Sequence, residues 1–382
     1  MTPLSILDLA PVTEGSTAAE ALRNTIDLAR RAEAAGYRRY WVAEHHFAPG
    51  VAASAPAVLI GAIAAATSRI RVGSGAVQLG HQTPAAVVEA FGTLSALYPG
   101  RIDLGLGRSG QRRAAERKAA ARKAVSDARP KREARVVNGL LIPPPYSYAH
   151  LLRSPRTGLQ ARLLQQPGAE TPDFGEQVDD ILAFLTGTWR SPDGVGMEAV
   201  PGTGSDAEIW ILGSSAGQSA RVAGALGLPF AANYHVSPAT VLEAVSAYRS
   251  AFRPSAVLSA PHVLVSADVV VAPTDAEARE LAAPYGLWVR SVRSGDGAMR
   301  FPSPSAAAAA VAEWDDSDHA LVADRVSTQF AGSPATVAKQ LRILRDATAA
   351  DELLVTTITY EHSDRVRSFD LLAAEWGLSL PK

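Results

Sequence analysis

Pro99-Gly100-Arg101-Ile102-Asp103-Leu104-Gly105-Leu106-Gly107-Arg108-Ser109-Gly110 is the stretch on which the fold turns. Its last six residues spell G-x-G-x-x-G, the fingerprint of dinucleotide-binding units. In such a unit the glycines follow the first strand and open a helix, with an acid about 20 residues further on. Here they follow the fourth strand signal of the chain. Beyond them lies a basic, alanine-rich stretch (111–135) that runs into Pro143-Pro144-Pro145 and not into a partner strand. The better reading is a loop at the mouth of a barrel, where glycines admit a ligand close to the backbone and Arg108 supplies a positive fork.

Strand and helix signals alternate on both sides of this stretch. Short apolar, β-branched runs fall at 4–9, 39–43, 70–77 and 101–106, and again at 208–212, 229–233, 262–271 and 353–359. Helical patterns follow them. The first opens on the capping box Thr17-Ala18-Ala19-Glu20 and stops at Gly36, which takes the left-handed C′ conformation at low cost. Eight strands, each with a helix behind it, predict a (β/α)8 barrel; a doubly wound open sheet is the rival. One domain over 1–382 is expected, with a lid-like excursion at 108–206 after strand four. A second excursion, irregular and alanine-rich, is expected at 285–332 after strand seven.

Composition narrows the function. Lys and Arg number 37 against 38 Asp and Glu, a net charge of -1, which removes the bulk electrostatic case for nucleic acid. No cysteine is present, so disulfides, thiolate zinc sites, iron–sulfur clusters and Cys nucleophiles are out. The longest apolar stretch, 55–66, contains Pro56 and Gly61 and is too short for a membrane span. The N-terminal residues lack the basic, then apolar, pattern of a signal peptide. A cytoplasmic protein is expected, with no membrane or nucleic-acid partner.

Several motifs invite chemistry. Glu44-His45-His46-Phe47 closes the second strand, where a barrel presents catalytic groups. Alternation sends adjacent strand side chains to opposite faces, which argues against a metal; acid–base work suits a group titrating near neutrality. Gly73-Ser74-Gly75-Ala76 interrupts a β-branched strand, as a bulge does, or as a flat ligand against the backbone requires. Gly213-Ser214-Ser215 stands between a strand and a helix, as an N-cap or as an anion site.

AEHHF (43–47), RIRVGSGAV (69–77), PGRIDLGLGRSG (99–110), ILGSSAGQSA (211–220), LGLPFAANYHVSP (226–238) and DELLVTTIT (351–359) together resemble the luciferase-like flavin-dependent monooxygenase family. The resemblance runs nearly end to end and is weakest in the two excursions. It implies the (β/α)8 fold and a chemistry in which reduced FMN, delivered by a separate reductase, reacts with O2 to a flavin C4a-hydroperoxide. It implies His45 as the acid–base group at the flavin's reactive edge. Gly75-Ala76 matches a segment where a non-proline cis peptide supports the ring. Gly107, Arg108 and Ser109 match the loop beside the flavin, and Gly213, Ser214 and Ser215 match a phosphate-binding turn. Leu9 and Ala10 would wall the flavin, while His46, Tyr234 and His235 would face the substrate. A homodimer is implied, and no metal. An F420-dependent hydride-transfer oxidoreductase on the same fold is the nearest alternative, followed by a non-catalytic flavin-binding subunit. Bacterial luciferase carries a reactive cysteine near the position of Gly107, so light emission is not implied.

Overall fold

The computed structural model describes residues 2–108, 133–148, 150–151 and 154–379. Eight parallel strands carry the fold: β1 (Leu4–Asp8), β2 (Arg39–Val42), β3 (Arg71–Ser74), β4 (Ile102–Gly107), β5 (Glu208–Gly213), β6 (Phe230–Asn233), β7 (Val263–Val271) and β8 (Glu352–Thr356). Each pairs with the next, and β8 pairs with β1 from Leu4↔Leu353 to Ile6↔Val355, which closes the circle. The molecule is a (β/α)8 barrel, and the open-sheet rival is excluded.

Eight helices surround it: α1 (Ala18–Ala35), α2 (Pro56–Ala66), α3 (Pro84–Leu97), α4 (Phe174–Leu185), α5 (Gln218–Ala225), α6 (Val241–Ala251), α7 (Pro334–Thr348) and α8 (His362–Trp376). The capping box of Thr17 and Glu20 opens α1, and Gly36 closes it at φ 88°. Pro56 and Pro84 occupy the first turns of α2 and α3, where a missing N–H is harmless. Among the described residues no helix is long and apolar enough to cross a membrane.

Two expectations need correction. The excursion after β4 contains α4, the barrel's own helix, packed between α3 and α5. Its amphipathic apolar face (Phe174, Val178, Ile181, Phe184) is fully buried, a pattern masked in the sequence by the long loops around it. The excursion after β7 is not irregular. It folds into helices Tyr285–Ser294, Pro304–Val311 and Asp316–Val326, then a short strand, Phe330–Gly332, that pairs with the end of β7. The alanine run at 306–310 is simply the helical stretch its high propensity favours. The basic stretch from 111 to 132 lies outside the described residues.

The barrel is plugged at the N-terminal ends of its strands by charge. Arg39 donates to Asp103 at 2.8 Å, to Glu208 at 2.7 Å and to Glu352 at 3.1 Å, while Arg71 and the Trp41 indole also donate to Asp103, each at 2.8 Å. Burial works against the Arg39 charge, but Asp103, Glu352 and Glu208 more than offset it and hold the guanidinium firmly protonated. Trp41 and Trp210 meet edge to face at 5.3 Å above this layer. Gly73 makes room for Asp103, since a Cβ there would lie 2.5 Å from the Asp103 Cβ.

Asp103→Ala removes one partner of a fully buried ion pair and leaves the Arg39 and Arg71 charges short of an acceptor. A loss of about 3–5 kcal/mol in unfolding free energy is expected in urea titration. A loss below about 1 kcal/mol would show that the plug does not hold the barrel.

Candidate active site

All eight strands end at one cavity of about 470 Å³. Leu9 follows β1, Glu44 and His45 follow β2, and Gly75 and Ala76 follow β3. Gly107 and Arg108 end β4, Gly213 to Ser215 end β5, and His235 lies just past β6. Asp268 and Thr356 come from β7 and β8. Gathering at the C-terminal ends is where this architecture places its sites, because the loops there are free of barrel packing.

The floor is flat because side chains are missing from it. A Cβ on Gly75 would lie 2.8 Å from Leu7 Cδ1, and one on Gly213 would lie 2.9 Å from the Phe230 ring. The Gly75–Ala76 peptide is cis, as the resemblance implied, and β3 resumes at Val77–Gln78 beside the end of β4.

One end of the cavity suits an anion. Helix α5 takes Gly217 as its N-cap residue, with no side chain to cap it, and Ser214 and Ser215 stand just before. Its first amides face the cavity rim, and a Cβ on Gly217 would stand 3.1 Å from Ser215 Oγ and 3.5 Å from Arg108 Nη2. Arg108 donates to Gln218 Oε1 at 3.1 Å; Gln218 in turn donates to Asp173 at 2.6 Å. That bond from Gln218, foremost, holds the Asp173 carboxyl below its usual range. The arrangement braces a guanidinium over a helix N-terminus.

The other end carries imidazoles. Glu44 is buried; its Oε1 pairs with His46 Nε2 at 2.8 Å and its Oε2 accepts the Gln78 amide at 2.8 Å. His46 is thus committed to Glu44, and its carbonyl accepts from Gln160 at 3.0 Å. His45 lines the same cavity and is exposed. Across from it, His235 Nδ1 meets Ser266 Oγ at 2.6 Å. Burial first, then the nearby charges of Arg325 and His45, lower the His235 pKa to about 3, so the ring stays neutral.

Leu9, His45, His46, Gly75, Ala76, Gly107, Arg108, Gly213, Ser214, Ser215 and His235 therefore meet around one space. Ser109 lies outside the described residues. Two expected residues stand apart. Ala10 is fully buried behind the wall, its N–H on Asp8 Oδ1 at 2.7 Å and its carbonyl accepting from Ala52. Tyr234 is also buried, and its hydroxyl donates to the Leu141 carbonyl at 2.7 Å, tying the barrel to the hairpin at 135–142. Strand alternation past β6 turns His235 inward and Tyr234 out. Gln78, Ser266, Asp268, Arg325 and Thr356 also line or brace the cavity. Ser266 and Asp268 had a signal, two polar residues at spacing two within an apolar strand; Arg325, on a helix of the second excursion, had none.

The cavity fits a phosphorylated, flat ring system. Glycines leave the floor clear, the serine-rich turn and Arg108 offer an anion corner, and one buried polar atom on the wall, Asn233 Oδ1, has no partner among the described residues.

The luciferase-like monooxygenase family model matches residues 2–137 and 158–351, and the chain belongs to that family. It is 39% identical over 379 residues to the uncharacterised protein YvbT of Bacillus subtilis, covering 98% of this chain and 97% of that one. It is 34% identical over 367 residues to a luciferase-like monooxygenase of Escherichia coli, covering 96% and 95%. Among solved structures, apo-MsnO8 superposes with a TM-score of 0.77 at 32% identity over the full length of both chains. Two structures share the fold at lower identity, each over the whole of this chain. The oxygenating constituent of 3,6-diketocamphane monooxygenase with FMN has a TM-score of 0.62 at 20% identity and is covered in full. An F420-dependent secondary alcohol dehydrogenase has 0.59 at 13%, with 99% of it covered.

The depressed His235 pKa has a measurable consequence. Below pH 6.5 the unfolded chain protonates this imidazole while the folded one does not, so stability falls with pH down to about 3. Between pH 7 and pH 5, wild type is expected to lose about 2 kcal/mol more than His235→Gln in urea titrations. Parallel losses would mean that the ring is not held neutral.

Proposed function

We propose that this protein is a monooxygenase that binds reduced FMN in the barrel mouth and uses O2 to oxidise a small organic molecule, with the flavin supplied by a separate reductase. The observation that carries the reading is the pairing of an anion corner with a clear, glycine-lined floor inside one cavity. When bound, reduced FMN supplies the electrons that place one oxygen atom of O2 in the substrate and release the other as water.

The chain's own residues do the rest. Arg108, with Ser214, Ser215 and the first amides of α5, holds the ribityl phosphate. Gly75-Ala76 and Gly107 let the ring lie against backbone, and Leu9 walls it. His45, exposed at the cavity, holds or delivers the proton at the reacting oxygen through its imidazole. His46 is fixed by Glu44 and serves as a wall toward the substrate, while the neutral His235 offers a hydrogen bond without bringing in charge. The whole chain acts as one barrel domain, with Tyr148, Arg156 and Gln160 of the first excursion and Trp288 and Val292 of the second bounding the mouth and limiting water. A homodimer through the barrel helices belongs to the same reading: α2 carries no charged residue on any face, and Val58 is 77% exposed on its outer side.

Anaerobic titration with reduced FMN and with reduced F420, followed by fluorescence, tests the choice of cofactor. Reduced FMN is expected to bind and F420 not; Arg108→Ala should weaken FMN about tenfold or more, the worth of a charge-assisted hydrogen bond. His45→Ala should keep FMN affinity and lose about 10²-fold in reductase-coupled turnover. Tighter binding of F420 would replace the proposal with hydride transfer. FMN binding with unchanged turnover in His45→Ala would remove His45 from the chemistry.

A further inference from the structure

Beside the flavin corner, the β7 and β8 side of the cavity carries polar groups that phosphate binding does not use. Asp268 and Arg325 line the cavity and are buried, and the Tyr285 hydroxyl behind them donates to Asp268 Oδ2 and accepts from Arg325 Nε at 3.0 Å. Arg325 Nη2 completes the triangle on Asp268 at 3.4 Å. Arg325 Nη1 and Asp268 Oδ1 take part in no hydrogen bond among the described residues. Thr356, paired in register with Asp268, is 1% exposed, lines the same cavity, and its hydroxyl has no partner there. Around these groups the wall is apolar: Leu264, Leu354, Ile358, Trp288, Val289 and Val292.

We propose that Asp268, Arg325 and Thr356 form the substrate subsite, and that it takes an uncharged, mainly apolar molecule bearing one carbonyl or hydroxyl oxygen. The inference rests on the flavin reading above and names the substrate class of that site. Charge selects this class. Arg325 and Asp268 cancel each other, Arg293 is matched by a two-pronged pair with Asp324 at 2.5 and 2.9 Å, and His235 is neutral. A carboxylate or sulfonate brought to Arg325 would stand against Asp268, and an ammonium brought to Asp268 would stand against Arg325. Neither would recover its hydration among aliphatic walls. A carbonyl oxygen suffers no such loss: it accepts from Arg325 Nη1 or the Thr356 hydroxyl. An alcohol does the same and also donates to Asp268.

The test is calorimetric binding, with and without FMN, of straight-chain compounds of one length that differ only in the head: methyl ketone, alcohol, carboxylate, sulfonate and ammonium. The ketone and alcohol are expected to bind at least about tenfold more tightly than the three charged members. Asp268→Asn, which strips the compensation from Arg325, should raise carboxylate affinity about tenfold. Thr356→Val, a variant of nearly equal volume, should weaken the ketone about fivefold and leave FMN affinity unchanged. Tightest wild-type binding of a charged member, binding of no member at all, or a ketone affinity that Thr356→Val leaves unmoved would overturn the proposal. The two readings fail separately. Ketone binding without FMN affinity contradicts the flavin site alone, and FMN affinity with the wrong head-group order contradicts the subsite alone.

Discussion

A closed eight-stranded barrel must fill its interior, and this one fills only the lower part. The Arg39–Asp103–Glu352 layer and the Trp41–Trp210 pair occupy the volume between the N-terminal halves of the strands. Above them, Gly75, Gly107 and Gly213 stand where ordinary barrel residues would be branched and large. The cavity is the consequence. A side chain on Gly75 or Gly213 would meet Leu7 or the Phe230 ring and break the clear floor on which the flavin reading depends.

Charge in this protein is arranged to cancel locally. The plug does so at the barrel bottom. Asp8 does so between barrel and helices, where burial is opposed by Arg365 and by hydrogen bonds from Tyr40, Arg365 and Thr25, and the carboxyl stays below its usual range. Asp268 with Arg325 repeats the pattern at the cavity wall, although there burial prevails and pushes the Asp268 carboxyl up. The corner around Arg108 and the start of α5 differs. There the Arg108 guanidinium donates to the neutral amide of Gln218 beside the first turn of α5. In the proposed function, an anionic group sits at that corner and an uncharged one against the opposite wall.

The architecture was legible because strand and helix periods are clean outside the excursions, and because Thr17, Gly36, Pro56 and Pro84 mark helix ends by local chemistry alone. Much of the site was legible for a related reason: Glu44 to His46, Gly75-Ala76, Gly107-Arg108 and Gly213 to Ser215 all sit just past a strand, where a barrel exposes them. What escaped was set by packing at long range. Whether Tyr234 or His235 faces inward depends on where β6 ends, and Ala10 turns behind the wall because Asp8 captures its amide. Arg325 reaches the cavity from a helix 57 residues beyond its partner Asp268, a distance no local pattern spans. The helices of the second excursion were obscured by their short length and by prolines at 302 and 304.

The most direct measurement is a crystal structure of the protein soaked with FMN. The account predicts density for the phosphate within hydrogen-bonding distance of Arg108, Ser214 and Ser215. The ring should lie against Gly75-Ala76, with one edge toward His45 and open space left before Asp268 and Thr356. Flavin bound elsewhere, or with its phosphate at the Arg325 wall and its ring over the serine turn, would contradict it.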